Sequence, residues 1–153
     1  MTEGSAITED LKKMLGVSQE PEVWEAEKGI IKRLAEAIGD PNPLYSDLEY
    51  AKNSRYGTII GPPLYLIDPG LIKMADRLIE AECPLPAFIN AGTELEYFKP
   101  IRLGDTITTV AKLVDLTEKE GRNGKLLFMT VEVTYTNQDN ELVVKCTNNF
   151  VRR

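Results

Sequence analysis

Leu127, Met129, Val131, Val133 and Tyr135 form an unbroken every-second-residue apolar series, with Thr130, Glu132, Thr134 and Thr136 set between or just beyond them. Side chains alternate across a β-strand, so nine residues with this period place one face against a core and the other toward a polar surround. Such a strand needs sheet neighbours and a cover for its apolar face. The neighbours are legible nearby. Asn123-Gly124 ahead of the series and Asn137-Gln138-Asp139-Asn140 behind it are turn sequences. Leu142, Val144, Cys146 and Phe150 alternate on a last strand, and Thr106–Leu116 supply another on the far side of Gly121. Residues 88–151 therefore read mostly as antiparallel strand.

The cover comes from the first half of the chain, which reads as helix. Thr8 through Gly16 has a capping threonine, early acids, later lysines and a terminal glycine, the pattern of a short helix. Residues 1–20 are expected to be a polar lead-in carrying this helix, loose up to Pro21, with a single domain over 21–153. From Glu27, Ile30, Ile31, Leu34, Ala37 and Ile38 mark one helical face that stops at Gly39. Ser46–Lys52 has the cap and acids of another short helix. A longer helix is expected from about Leu64 to Ala81, with Leu71, Met74, Ala75, Leu78 and Ile79 on one side and a bend or restart at Pro69-Gly70. Helices first and strands afterwards imply an α+β layer, a sheet curled against one buried central helix.

At 153 residues the chain fits one domain. Its formal charge of −6, with no cluster of basic residues interleaved with aromatics, argues against a nucleic-acid partner. No apolar run is long enough to span a bilayer, and the acidic start, Met1-Thr2-Glu3, lacks the basic and apolar regions of a secretory signal, so a cytoplasmic location is expected. Cys83 and Cys146 are too few and too far apart for a disulfide framework or a metal knuckle, and are read as buried or half-buried thiols. The chain has no histidine.

Three ordered stretches carry a resemblance: Ala37–Asp47 with Asp40-Pro41-Asn42-Pro43-Leu44-Tyr45 at its centre, Tyr56–Pro63, and Glu96–Thr106. Together they resemble the MaoC-like hot-dog proteins, the (R)-specific enoyl-CoA hydratases and 3-hydroxyacyl dehydratases. The resemblance implies a hot-dog fold, an antiparallel sheet wrapped around a central α-helix. It also implies an acyl thioester substrate presented on coenzyme A or an acyl carrier, with no separate cofactor or metal. In active members an aspartate and a histidine five positions apart hold and activate water for addition across the double bond of an enoyl thioester. That addition needs a base for water, an acid for the α-carbon and a donor at the thioester oxygen.

Here Asp40 matches the family aspartate, but Tyr45 stands where the histidine belongs, and a phenol with an ordinary pKa near ~10 is a poor base at neutral pH. The family's oxyanion glycine aligns with Pro63 in Gly61-Pro62-Pro63-Leu64, and proline has no N–H to give. These departures resemble the N-terminal-type half of two-domain or heteromeric members, which lacks the catalytic histidine and helps form the acyl tunnel. The expectation is a non-catalytic acyl-binding half, paired as a dimer with a histidine-bearing hot-dog subunit. Asn42, Gly61, Pro62, Pro63 and Tyr65 are its expected substrate-binding residues. Two other readings stay open. One is a self-sufficient homodimeric hydratase or thioesterase using Asp40; the other is an acyl-CoA binding or regulatory protein.

Without the resemblance, Gly39–Pro43 is a helix stop and turn. Asp68 reads as a cap at the Pro69-Gly70 break and Asp76 as a surface carboxylate, while Glu94 and Glu96, two apart on a strand, read as a solvated edge. Lys99, Arg102, Arg152 and Arg153 are candidates for contact with phosphates of the thioester carrier, against the alternative of simple solubilising charge.

Overall fold

The computed structural model describes residues 4–66 and 70–153. The elements are α1 (Glu9–Met14), β1 (Glu22–Glu25), α2 (Lys28–Ala37), α3 (Leu48–Lys52), α4 (Leu71–Glu80), β2 (Phe88–Tyr97), β3 (Thr106–Gly121), β4 (Gly124–Thr136) and β5 (Leu142–Arg152). The strands form one antiparallel sheet in the order β1-β3-β4-β5-β2. Helix α4 packs on β3 and β4, the hot-dog arrangement that the sequence leads one to expect.

The period-two series lies on β4, and all five of its apolar residues are fully buried. Facing them from α4 are Leu71, Met74 and Leu78, spaced three and four apart as a helical face requires. Val144, Cys146 and Phe150 extend the same core along β5. The turn between β3 and β4 lies one residue earlier than the Asn123-Gly124 pair implied. Gly121 pairs with Gly124, leaving Arg122-Asn123 as the two-residue loop, and Gly124 opens β4 with φ +118°.

Several expectations are corrected. The central helix is shorter than 64–81. A 3-10 turn occupies Pro63–Leu66, and α4 starts after Gly70, the expected restart point, whose φ of +78° breaks the helical path. Ala75 is half-buried and Ile79 faces outward, half exposed, together with Ile72. Asp68 and Pro69 lie outside the described residues. Asp76 is exposed, as are Glu94 and Glu96 on β2. The short third helix is capped by Asp47, whose carboxylate accepts from the N–H groups of Glu49 and Tyr50.

The N-terminal segment is knitted to the sheet rather than loose. Thr8 caps α1 by accepting from Leu11 N–H, and Leu11 and Ala6 are buried in the main core. The N–H groups of Gly16 and Gln19 then donate to Leu113 and Ala111 on β3, each at 2.8 Å. Strand β1 follows, unrecognised in the sequence, and its Trp24 indole donates to Thr109 Oγ1 at 3.0 Å.

Arg152 is also corrected: it is buried. Its guanidinium donates to the carbonyls of Leu78 and Ile79, each at 2.6 Å, and to Leu85 at 3.1 Å. It thereby caps the C-terminal end of α4 and is not free to meet a phosphate. Lys99 pairs with Glu141.

Cys83 is half-buried and Cys146 fully buried, both as free thiols. Burial pushes the Cys146 thiol from 9.0 up to about 11. The folded state therefore holds this proton more tightly than the unfolded chain. That contribution is fully present below pH 9 and is lost as pH rises toward 11. Its full size is on the order of 3 kcal/mol. Cys146→Ala empties core volume and should unfold at lower urea than the parent at pH 7, yet, lacking the thiol, it should lose less stability between pH 9 and 11. Parallel slopes in urea titrations at these two pH values would reject this assignment.

Candidate functional site

The six residues after Gly39 build one wall of a cleft. Gly39, at φ +70°, ends α2, and Asp40 N–H donates back to Ala35 O at 2.9 Å. Two successive Asx turns follow. Asp40 Oδ1 accepts from Asn42 N–H at 3.0 Å, and Asn42 Oδ1 accepts from Leu44 N–H at 3.1 Å. Pro43 starts a 3-10 turn over Pro43–Tyr45 that turns Tyr45 inward, 7% exposed.

Backbone bonds tie the three matched stretches together although they are far apart in sequence. Ile60 N–H donates to Leu44 O, Gly61 N–H to Ile101 O and Leu103 N–H to Ile59 O, at 3.2, 2.9 and 2.9 Å. Where they converge lies a cleft of about 510 Å³. Asn42, Tyr45, Gly61, Pro62 and Pro63 all line it. The Pro62-Pro63 corner is fixed to the end of β2, where the Tyr97 hydroxyl donates to Pro63 O at 2.6 Å.

Two predicted site residues are placed elsewhere. Asp40 is half-buried behind Asn42 and is not part of the wall. Tyr65 is turned into the core, with its ring 5.5 Å from that of Trp24. It lies beneath Gly61, where an added Cβ would stand only 3.2 Å from the Tyr65 ring. Gly61 is thus needed for close approach, and Tyr65 supports the wall from behind. Cleft residues not singled out in the sequence include Arg55, Tyr56, Tyr97, Phe98 and Ile101. All but Arg55 fall inside the matched stretches, so the signal was present; nothing local marks Arg55.

The chemistry on offer is donation rather than proton abstraction. Among the described residues the cleft is lined by phenols, a guanidinium and an ammonium, with no carboxylate, imidazole or thiol. Burial raises the Tyr45 phenol above its ordinary range, and the Asp40 charge and the neighbouring Tyr56 push the same way, against a hydrogen bond from Asn42. Tyr45 therefore stays protonated at neutral pH and acts as a donor. Burial raises Tyr97 as well. Backbone donors are equally scarce: Gly61 N–H is engaged by Ile101 O, Tyr65 N–H by Pro62 O, and both prolines lack one.

Comparison with known proteins gives a consistent picture. A family model described as the FAS1-like dehydratase domain region matches residues 13–146. A UPF0336 protein of Thermobifida fusca is 28% identical over 118 residues, covering 76% of this chain and 76% of that protein. Among solved structures, a MaoC-like dehydratase of Rhodospirillum rubrum is similar with a TM-score of 0.65 at 25% identity, covering 91% of this chain and 93% of the other. The HadBC complex of Mycobacterium tuberculosis, a (3R)-hydroxyacyl-ACP dehydratase, is similar in fold with a TM-score of 0.74 at 17% identity, covering 90% and 96%. The converging stretches, the sheet order and a profile match over most of its length agree: the chain belongs to the FAS1-like dehydratase domain region family, among the MaoC-like hot-dog dehydratases.

Proposed function

We propose that this chain is the non-catalytic, acyl-binding subunit of an (R)-specific enoyl-CoA hydratase or 3-hydroxyacyl thioester dehydratase, paired with a homologous subunit that supplies the aspartate and histidine. The observation that carries this reading is Tyr45, a buried phenol held in its protonated form where the family places its base. Adding water to an enoyl thioester needs a proton acceptor and a donor for the developing enolate oxygen. The cleft has no acceptor of that kind, and its prolines remove the backbone donor. It keeps an apolar wall of Leu44, Ile60, Pro62 and Ile101 on which an acyl chain can lie.

Pairing has surface features in its favour. Strand β2 is a sheet edge, ten residues long and mostly exposed, and an uncovered edge of that length invites a second strand. Ile72 and Ile79 on α4 and Ile89 on β2 are large apolar residues left in contact with solvent. The HadBC structure is a complex of this fold, which supports a two-chain arrangement here.

The direct test is hydration of crotonyl-CoA and longer enoyl-CoA thioesters by the pure chain and by the chain mixed with histidine-bearing hot-dog partners. The chain alone is expected to show no turnover, and the mixture to exceed the partner alone on longer substrates. Robust turnover by the pure chain that Asp40→Ala abolishes would instead place the reaction in this subunit. A homodimer that binds acyl-CoA and raises no partner's activity would mark a binding protein.

A further inference from the structure

We infer that the cleft is a receptor for a single oxyanion, a carboxylate or a phosphate carried by an acyl compound, held by the Arg55 guanidinium together with the Tyr56 and Tyr45 hydroxyls. The inference goes beyond the subunit role, because it concerns what this chain binds by itself, with or without a partner.

The argument is one of counting donors and protons. Arg55 Nη2 donates to the Tyr56 hydroxyl oxygen at 2.6 Å, with the guanidinium carbon 4.8 Å from the Tyr56 ring centre. A hydroxyl that accepts still has its own proton to give. Tyr45 lines the same cleft, and burial keeps its phenol protonated, so it too has a proton to give. Tyr97 is different, because its proton is already donated to Pro63 O. Two hydroxyl protons and the remaining guanidinium N–H groups are therefore left facing one cleft.

Charge points the same way. Among the described residues no carboxylate pairs with Arg55. The second cation on the wall, Lys99, is neutralised by Glu141. Asp40, whose charge bears on Tyr45, lies outside the wall with one oxygen engaged by Asn42 N–H. A set of donors with one uncompensated positive charge is matched by an anionic acceptor, and the bidentate guanidinium favours a carboxylate or phosphate. The apolar residues Leu44, Ile60 and Ile101 lie beside it and suit the attached chain.

Calorimetric titration of the full chain with octanoate, octanol and free coenzyme A tests the proposal. Octanoate separates a carboxylate from octanol, its neutral counterpart, and coenzyme A presents phosphate without an acyl chain. At least one anion is expected to bind about tenfold more tightly than octanol and to lose about that factor in Arg55→Gln, with Arg55→Lys intermediate. Tyr56→Phe should cost a smaller factor, about threefold. Binding by octanoate identifies the oxyanion as a carboxylate, and binding by coenzyme A identifies it as a phosphate. Arg55 is exposed, so these variants should fold as the parent does, which a thermal midpoint checks. Equal binding of octanol and both anions, or anion affinity unchanged in Arg55→Gln, overturns the proposal. Neither result would alter the hydration assay, so this site and the subunit role fail separately.

Discussion

Replacing Arg152 by methionine is expected to lower the unfolding free energy by about 3 kcal/mol, because a charged cap is removed from carbonyls to which, among the described residues, no other group outside the helix donates. The last carbonyls of any α-helix lack intrahelical donors. In α4 those of Leu78 and Ile79 receive the Arg152 guanidinium, which also reaches Leu85 O in the segment leading to β2. The positive charge sits at the negative end of the helix dipole, and the Phe88 ring lies 5.7 Å away. Among the described residues no carboxylate pairs with it, so the carbonyls are the counter-charge. Methionine fills similar volume and leaves the carbonyls bare. Arg152→Lys should recover less than half of the loss, since one ammonium cannot span Leu78, Ile79 and Leu85 as a planar fork does. Urea unfolding of the three proteins at pH 7 measures this. A loss below about 1 kcal/mol in the methionine variant would show that solvent caps the helix as well as Arg152 does.

Arg152 also shows where sequence reading reaches its limit. Alternation on β4 and β5 is a local property, so Leu127, Met129, Val131, Val133 and Tyr135 could be placed without knowing the fold, and each lies fully buried. Arg152 has the same sequence signature as the solvated Arg153 beside it. What distinguishes them is the end of α4, more than seventy residues earlier in the chain. Strand β1 was missed for a similar reason. Four residues, Glu-Val-Trp-Glu, are too few to establish a period, and the partner that defines them as strand is β3. Ile79 continues the apolar pattern of α4 yet faces outward, because apolarity alone does not say whether a face meets this chain's own sheet or another surface. In the cleft, Asn42, Tyr45 and the Gly61–Pro63 corner were legible through their stretches. The orientation of Tyr65 was not, since the direction of a 3-10 turn after two prolines is decided by what packs beneath it, here Trp24. Arg55 was invisible because its role depends on Tyr56 and on the absence of a nearby acid.

The cleft's two departures from the hydratase pattern should be separable by restoring them one at a time. Tyr45→His alone is expected to give no crotonyl-CoA hydration above background in the isolated chain. Tyr45→His with Pro63→Gly should exceed that single variant by about 10²-fold, the scale on which one oxyanion donor acts. Histidine would supply a group that exchanges its proton near neutrality, which the phenol, raised by burial and by Asp40, cannot. A base alone leaves the enolate oxygen without a backbone donor at the corner, because Gly61 N–H is engaged by Ile101 O and residues 62 and 63 have none. Glycine at 63 adds an N–H at the corner while keeping the carbonyl that accepts the Tyr97 hydroxyl. The gain should also rise with pH through about 6–7, as the new imidazole loses its proton, a signature that a repacked cleft would not produce. Equal activity in the single and double variants would place the oxyanion donor elsewhere on the wall. A folded double variant with no turnover would mean that the missing function is more than a base and a donor. Asp40, with one oxygen engaged by Asn42 N–H and its side chain set behind the wall, would then be out of reach of a bound water, and only a second subunit's loop could complete the site.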